Sequence, residues 1–122
     1  MLLFADLKKA FIRAPLDQTV EADQTVELRC TPPSGEPAPS VTWTKNGVPV
    51  DPKQDPNYII SNEGNLLIAA AKLSDMANYS CVAENVATRR VSTPARLTVY
   101  GTYWCRATPV IFYNTFGPKV ES

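Results

Sequence analysis

The chain has 122 residues, which is enough for one domain and too short for two full ones. Its 12 basic and 12 acidic side chains cancel, so nucleic acid is not an expected partner. There is no histidine, no C-x-x-C pair and no apolar run near the ~18 residues of a membrane span. These features predict no enzyme, no cofactor, no metal site and no membrane span in this chain.

The first thirty residues contain three apolar segments. Residues 2–7 are strand-like but isolated, and residues 8–15 predict an edge strand that ends at a proline. Residues 25–30 alternate between apolar and polar side chains, so they predict a strand with one buried face. The proline-rich residues 31–39 that follow predict a loop.

The middle of the chain predicts short strands joined by tight turns. A strand around Trp43 leads into Asn46-Gly47, which is the strongest short hairpin signal. Residues 51–57 form a loop and residues 58–60 a short strand. A further strand starts after Gly64 and turns Leu66 and Ile68 to one side.

The second half continues the same pattern. Residues 69–75 turn the chain with one helical turn, residues 78–84 form a strand, and residues 89–100 form a long last strand. Pro94 interrupts that strand and indicates either a sheet edge or a bulge. Seven or eight short strands without a three-turn helix predict an all-β protein of the β-sandwich class.

Four residues narrow the fold. Inward positions on three predicted strands hold Cys30, Trp43 and, on the third strand, both Tyr79 and Cys81. The order of these residues resembles that of immunoglobulin domains. The resemblance implies a Greek-key sandwich with one disulfide between its sheets, a core tryptophan beside it, and a tyrosine hydroxyl reaching the backbone near Asp75. The alternative is that the two cysteines are buried free thiols.

Residues 8–100 resemble an intermediate-set (I-set) immunoglobulin domain. More narrowly, they resemble the second immunoglobulin domain of the uncoordinated-five type of netrin receptor. The stretches that carry the resemblance are C-T-P-P-S-G-E-P, V-T-W-T-K-N, V-D-P-K-Q-D-P-N, N-L-L-I, A-K-L-S-D-M-A-N-Y-S-C-V-A-E-N and R-R-V-S-T-P-A. Residues 1–7 are then expected to be the end of a preceding immunoglobulin domain or a linker, since they do not form a convincing signal peptide.

The resemblance implies an extracellular glycoprotein module of a receptor in the cell membrane. Receptors of that family bind netrin, a secreted protein, and guide axons and migrating cells, chiefly by repulsion. In the family two immunoglobulin domains carry ligand binding and precede two thrombospondin type-1 repeats, a membrane span and cytoplasmic ZU5 and death domains. The alternative is a generic module for cell adhesion or structure that binds other proteins, with a cytosolic muscle-type domain as a weaker variant.

Residues 101–122 depart from the family, because a tryptophan-rich thrombospondin repeat is expected after Tyr100. The departure suggests a fragment or a truncated, secreted isoform, with an apolar and poorly ordered tail. Cys105 is the odd cysteine of three. We expect it to be an unpaired thiol, and an intermolecular disulfide is the alternative.

Two surface features are candidates for modification or binding. Asn78 begins the sequon Asn-Tyr-Ser and should face outward between two inward positions, so it is a candidate for glycosylation. Arg89 and Arg90, with Lys72 nearby, are candidates for a basic patch that binds a ligand or a sulfated glycan. An unmodified asparagine and ordinary solvated charges are the alternatives.

Overall fold

The computed structural model describes residues 10–112, and for residues 103–105 and 112 it describes the backbone alone. The interpretation of residues 2–7 therefore lies outside the described residues, as does that of residues 113–122. Within the described range the chain forms two β-sheets that enclose one apolar core. The prediction of an all-β, immunoglobulin-like sandwich is confirmed.

The first sheet has the order β1-β9-β7-β3-β4, with β8 also paired to β7 and β10 to β9. Its strands are β1 (Gln18–Glu21), β3 (Ser40–Lys45), β4 (Val48–Pro49), β7 (Ala77–Glu84), β8 (Arg89–Val91), β9 (Ala95–Cys105) and β10 (Thr108–Phe112). The second sheet has the order β2-β6-β5 and contains β2 (Val26–Leu28), β6 (Leu66–Ile68) and β5 (Tyr58–Ile60). A single 3-10 turn, Leu73–Asp75, precedes β7.

The core forms because successive side chains of a strand point to opposite faces. The inward positions of both sheets are no more than 1% exposed: Val26, Leu28, Trp43, Leu66, Ile68, Tyr79, Cys81, Leu97 and Val99. The predicted inward orientation of Leu66 and Ile68 is therefore found in the structure. These side chains fill the space between the sheets and supply most of the apolar burial.

The last predicted strand is divided by a bulge. Strands β8 and β9 both pair with β7, but their registers along β7 differ by one residue. The segment that joins β8 to β9 therefore contains one extra residue, which is a β-bulge. Ser92 spans the gap: its N–H donates to the Cys81 carbonyl, and its hydroxyl accepts from the Cys81 N–H at 2.9 Å. Of the two explanations for Pro94, the structure shows the bulge.

The predicted hairpin at Asn46-Gly47 joins β3 to β4. Both residues have positive φ values, 51° and 83°, which a two-residue turn between twisted strands requires. Gly64 also needs its glycine, because its φ is 98° and a Cβ would lie 3.2 Å from a methyl group of Val41.

Two features near the N-terminus differ from the sequence-based predictions. Residues 10–15 form no strand, and Arg13 alone makes an isolated bridge to Thr31. Strand β1 was missed, because its four residues are only partly buried and its partner, β9, is far away in sequence. Its parallel pairing with β9 cannot be recognised from a local pattern.

The end of the domain also differs. Strand β9 continues past Tyr100 to Cys105, turns through Arg106 and Ala107, and returns antiparallel as β10. The expectation of a poorly ordered tail is therefore wrong for residues 101–112, because backbone hydrogen bonds pair this segment with the last long strand. The thiol of Cys105 lies outside the described side chains, so its predicted unpaired state stays a prediction.

Candidate functional site

A disulfide joins the two sheets at the centre of the core. Cys30 and Cys81 are bonded, with their Cα atoms 6.4 Å apart. Trp43 lies opposite Cys81 in the register of β3 and β7, and its indole N–H donates to the Gly64 carbonyl at 2.8 Å. All three of these side chains are buried, so their role is to hold the sheets together rather than to bind a ligand.

A buried polar group lies where the chain enters β7. We call Asn57, Tyr58, Asp75 and Tyr79 the corner cluster. Oδ1 of Asp75 accepts from the Tyr58 hydroxyl at 2.6 Å, and Oδ2 accepts from the Asn57 amide at 3.3 Å and from the Lys72 N–H at 2.9 Å. The Tyr79 hydroxyl donates to the Asp75 carbonyl at 2.6 Å, which is the tyrosine-corner contact that the sequence predicted.

Burial keeps both tyrosines of the corner cluster protonated. It is the largest cause that raises the pKa of Tyr79 to about 12, and burial followed by the hydrogen bond to Asp75 raises the pKa of Tyr58 above its usual value. Each hydroxyl has a single proton, and both protons are directed at Asp75. The 3.2 Å separation of the two hydroxyl oxygens is therefore a close approach without a proton to share.

Sequence reasoning missed Asn57, which fastens the predicted 51–57 loop to the rest of the domain. Its side chain donates to the Ala70 carbonyl and accepts from the Ala70 N–H, both at 2.9 Å. Asp51 and Asp55 stabilise the loop by accepting from backbone N–H groups two residues ahead of each. The motif D-P-K-Q-D-P-N is the signal that could have identified the loop as rigid.

Asn78 is exposed on the outer surface of the first sheet, as alternation along β7 predicts. Its backbone is held by the turn at Asn46, whose side chain accepts from the Asn78 N–H at 2.9 Å and whose own N–H donates to the Asn78 carbonyl. The position is accessible to a glycan. Glycosylation itself stays a prediction.

The predicted basic patch is wrong as a single surface. In the register of β7 and β8, Arg89 lies opposite Glu84 and Arg90 lies opposite Ala83, at the end of β7. Lys72 immediately precedes the 3-10 turn that leads into the beginning of β7. About seven residues of strand separate the two places, roughly 20 Å at the rise of an extended chain, so the three cations cannot bind one small group together.

The described surface has three notable concavities. The largest, about 480 Å³, lies beside β2 and is lined by Arg13, Ala14, Leu16, Gln18, Glu27 and Arg29. A more polar one of about 330 Å³ adjoins it, and a third of about 240 Å³ lies between β4 and the 51–57 loop. Within residues 10–112 no group of three His, Cys, Asp or Glu side chains could hold a metal, and no helix is long and apolar enough to cross a membrane.

Solved structures place the domain among immunoglobulin repeats. Tandem Ig repeats of Dlar match with 30% identity and a TM-score of 0.70, over 75% of this chain and 48% of that one. The N-terminal Ig1-2 module of the Drosophila receptor protein tyrosine phosphatase DLAR matches with 31% identity and a TM-score of 0.68, over 74% and 44%. This chain therefore spans about half the length of the Dlar fragments it matches.

A third similar structure is a chimeric titin Z1Z2 protein, with 31% identity and a TM-score of 0.68, over 78% of this chain and 97% of that one. The model of the immunoglobulin I-set domain matches residues 9–99. Domains of this kind are typically non-enzymatic and typical of extracellular proteins. The disulfide, the buried tryptophan and the tyrosine corner agree with the match, and the chain belongs to the immunoglobulin I-set domain family.

Proposed function

We propose that this domain is the extracellular ligand-binding module of a netrin receptor of the uncoordinated-five type, acting in axon guidance and cell migration through repulsive netrin signalling. The observation that carries the proposal is the set of family-like stretches on one disulfide-bonded I-set domain. One of the more specific stretches, D-P-K-Q-D-P-N, forms a rigid loop that borders a surface concavity of about 240 Å³. A rigid loop is a suitable binding element, because little entropy is lost when it docks.

The disulfide supports the extracellular location, because such bonds form and persist in oxidising compartments. Similarity to the immunoglobulin repeats of a receptor supports a receptor module. The proposed location of the parent protein is the cell membrane.

A binding assay tests the proposal. The chain is secreted from eukaryotic cells together with a preceding immunoglobulin domain and passed over immobilised netrin in a biosensor. We expect saturable binding, and no binding by a titin Z1Z2 fragment, which shares the fold and serves as the control. A natively folded two-domain protein without measurable affinity for netrin would contradict the proposal.

Two narrower parts of the proposal have their own tests. A glycan on Asn78 predicts a mass loss after treatment with an N-glycosidase, and Ser80→Ala should remove the glycan while Asn78 stays in place.

A sulfated-glycan partner is now proposed for Arg89 and Arg90 alone. Replacing both with glutamine should lower the salt concentration at which the protein leaves a heparin column, and unchanged elution would contradict this part.

A generic adhesive or structural module is the second candidate function. The similarity to titin Z1Z2 favours it, since that protein matches this chain over 97% of its own length. This candidate predicts self-association and indifference to netrin. Sedimentation velocity at several concentrations, run beside the netrin assay, distinguishes the two functions.

A further inference from the structure

The largest of the three concavities described above lies where the chain crosses from one sheet to the other. Arg13 is bridged to Thr31 beside the second sheet, and Gln18 already begins β1 in the first sheet. Between Arg13 and Gln18, residues 14–17 therefore run away from the edge of β2 and leave a space beside it. We call the resulting half-open space of about 480 Å³ the crossover pocket.

The backbone of Arg29 faces this pocket. Neighbouring residues of a strand direct their peptide groups to opposite sides. The Cys30 N–H points to the β6 side, where it donates to Asn65, and the peptide groups of Thr31 point to the other side, where they bond to Arg13. Arg29 shares the orientation of Thr31, and among the described residues no hydrogen bond uses its N–H or carbonyl.

The side chains of the pocket provide one apolar wall and an excess of positive charge. Leu16 is 77% exposed and forms the apolar part of the rim. Arg29 is paired with Glu27 at 3.0 Å, whereas Arg13 has no ion pair within residues 10–112. Two arginines against one glutamate favour an anion here.

The neighbouring polar concavity shows on which side an anion should lie. It shares Arg13, Glu27 and Arg29 with the crossover pocket and adds the carboxyl group of Glu63. Glu63 repels a second carboxylate there. An anion is therefore best placed on the side of Leu16, where an apolar neighbour on the same ligand can cover that side chain.

We propose that the crossover pocket binds an acidic side chain flanked by an apolar one, presented by an extended segment of a protein partner. The carboxylate accepts from the Arg13 guanidinium and from the Arg29 N–H, and the apolar side chain packs against Leu16. The inference does not depend on netrin binding.

A pair of isosteric peptides tests the proposal by NMR. The ¹⁵N-labelled chain is titrated with acetyl-Leu-Glu-Leu-amide and with acetyl-Leu-Gln-Leu-amide, to about 10 mM because exposed charge pairs give weak binding. We expect the glutamate peptide to shift the amide signals of Leu16 and Arg29 and to bind about fivefold more tightly than the glutamine peptide. Added salt should reduce this preference.

Two variants locate the charge that is responsible. Arg13→Gln should abolish the preference for the glutamate peptide, and the control Arg96→Gln, at an exposed position of β9, should retain it. The rest of each variant's amide spectrum reports whether it is folded. Equal binding of the two peptides, shifts confined to other surfaces, or no shift at the highest concentration would each overturn the proposal.

Discussion

The two ends of β7 are built in opposite ways. At its beginning the corner cluster buries a carboxylate and two phenols, and every one of these groups has a partner. At its other end the turn after Glu84 is closed by Asn85, whose side chain accepts from the N–H groups of Ala87 and Thr88 and whose own N–H donates to the Thr88 carbonyl at 3.0 Å. Val86, at the tip of that turn, is 85% exposed.

The difference shows which parts of the domain are free to vary. A buried polar group without a partner costs more than a hydrogen bond contributes, so each member of the corner cluster constrains the others. The exposed turn depends on a few hydrogen bonds made by Asn85 and can present different side chains at little cost. We therefore expect stability to depend on the corner end and recognition to be more adaptable at the turn end.

The largest effect should come from Asp75→Asn. An amide has one oxygen, whereas both oxygens of Asp75 accept hydrogen bonds, so one donor group would face the new NH₂ group. We expect a loss of about 3 kcal/mol in the free energy of unfolding, measured by urea denaturation. Glu84→Gln, at the exposed far end of β7, is the matched control and should change it by less than about 0.5 kcal/mol.

A similar loss for both variants would show that the two ends are energetically alike. Circular dichroism of the folded baselines should confirm that each variant retains the sandwich. If both variants retain the sandwich, the difference between them is one of stability and not of fold.

Alkaline pH should weaken the corner end selectively. The folded state holds the pKa of Tyr79 at about 12, above its usual 10.0, so it disfavours the ionised phenol. The contribution of Tyr79 is then fully present below pH 10 and is lost as the pH rises towards 12. Urea titrations across this range should show a less steep decline for Tyr79→Phe than for the parent chain.

The sequence predicted the parts of this architecture that local patterns encode. Alternation placed Leu66 and Ile68 inward, and the order of the two cysteines, Trp43 and Tyr79 indicated the sandwich and its disulfide. The hydrogen bond from Tyr79 to the Asp75 carbonyl was implied by the resemblance to immunoglobulin domains. Each of these features depends on residues close in sequence or on a recurrent pattern.

The remaining features depend on contacts that no local pattern records. Asn57 binds Ala70, and β1 pairs with β9, across intervals that the sequence does not mark. The proposed joining of Lys72 to Arg89 and Arg90 failed for a different reason. The strand predicted over residues 78–84 already lies between them, and its length keeps Lys72 away from the two arginines. The crossover pocket likewise arises from the path of residues 14–17 and not from a motif.

Asn85→Ala should have a smaller effect than changes in the corner cluster. It removes two hydrogen bonds that close the turn and a weaker one, at 3.2 Å, to the Pro37 carbonyl. We expect a loss of about 1 kcal/mol, because the freed N–H groups can bind water. Amide exchange should become faster at Thr88, and Asn62→Ala, at an exposed asparagine elsewhere, should change neither quantity.

Val86→Ser should have the smallest effect on stability, within about 0.5 kcal/mol, because a side chain that is 85% exposed gains little from burial. Urea denaturation measures the change, and a loss above about 1 kcal/mol would mean that the turn end is packed more tightly than its exposure implies. The same variant probes recognition, since an apolar tip on a turn held by Asn85 is preorganised for contact. If the turn end takes part in binding, Val86→Ser should weaken the netrin response while leaving the unfolding curve unchanged, and Asp75→Asn should act mainly by lowering the folded fraction. Such results would show that the turn end of β7 contributes to binding and that the corner end contributes to stability.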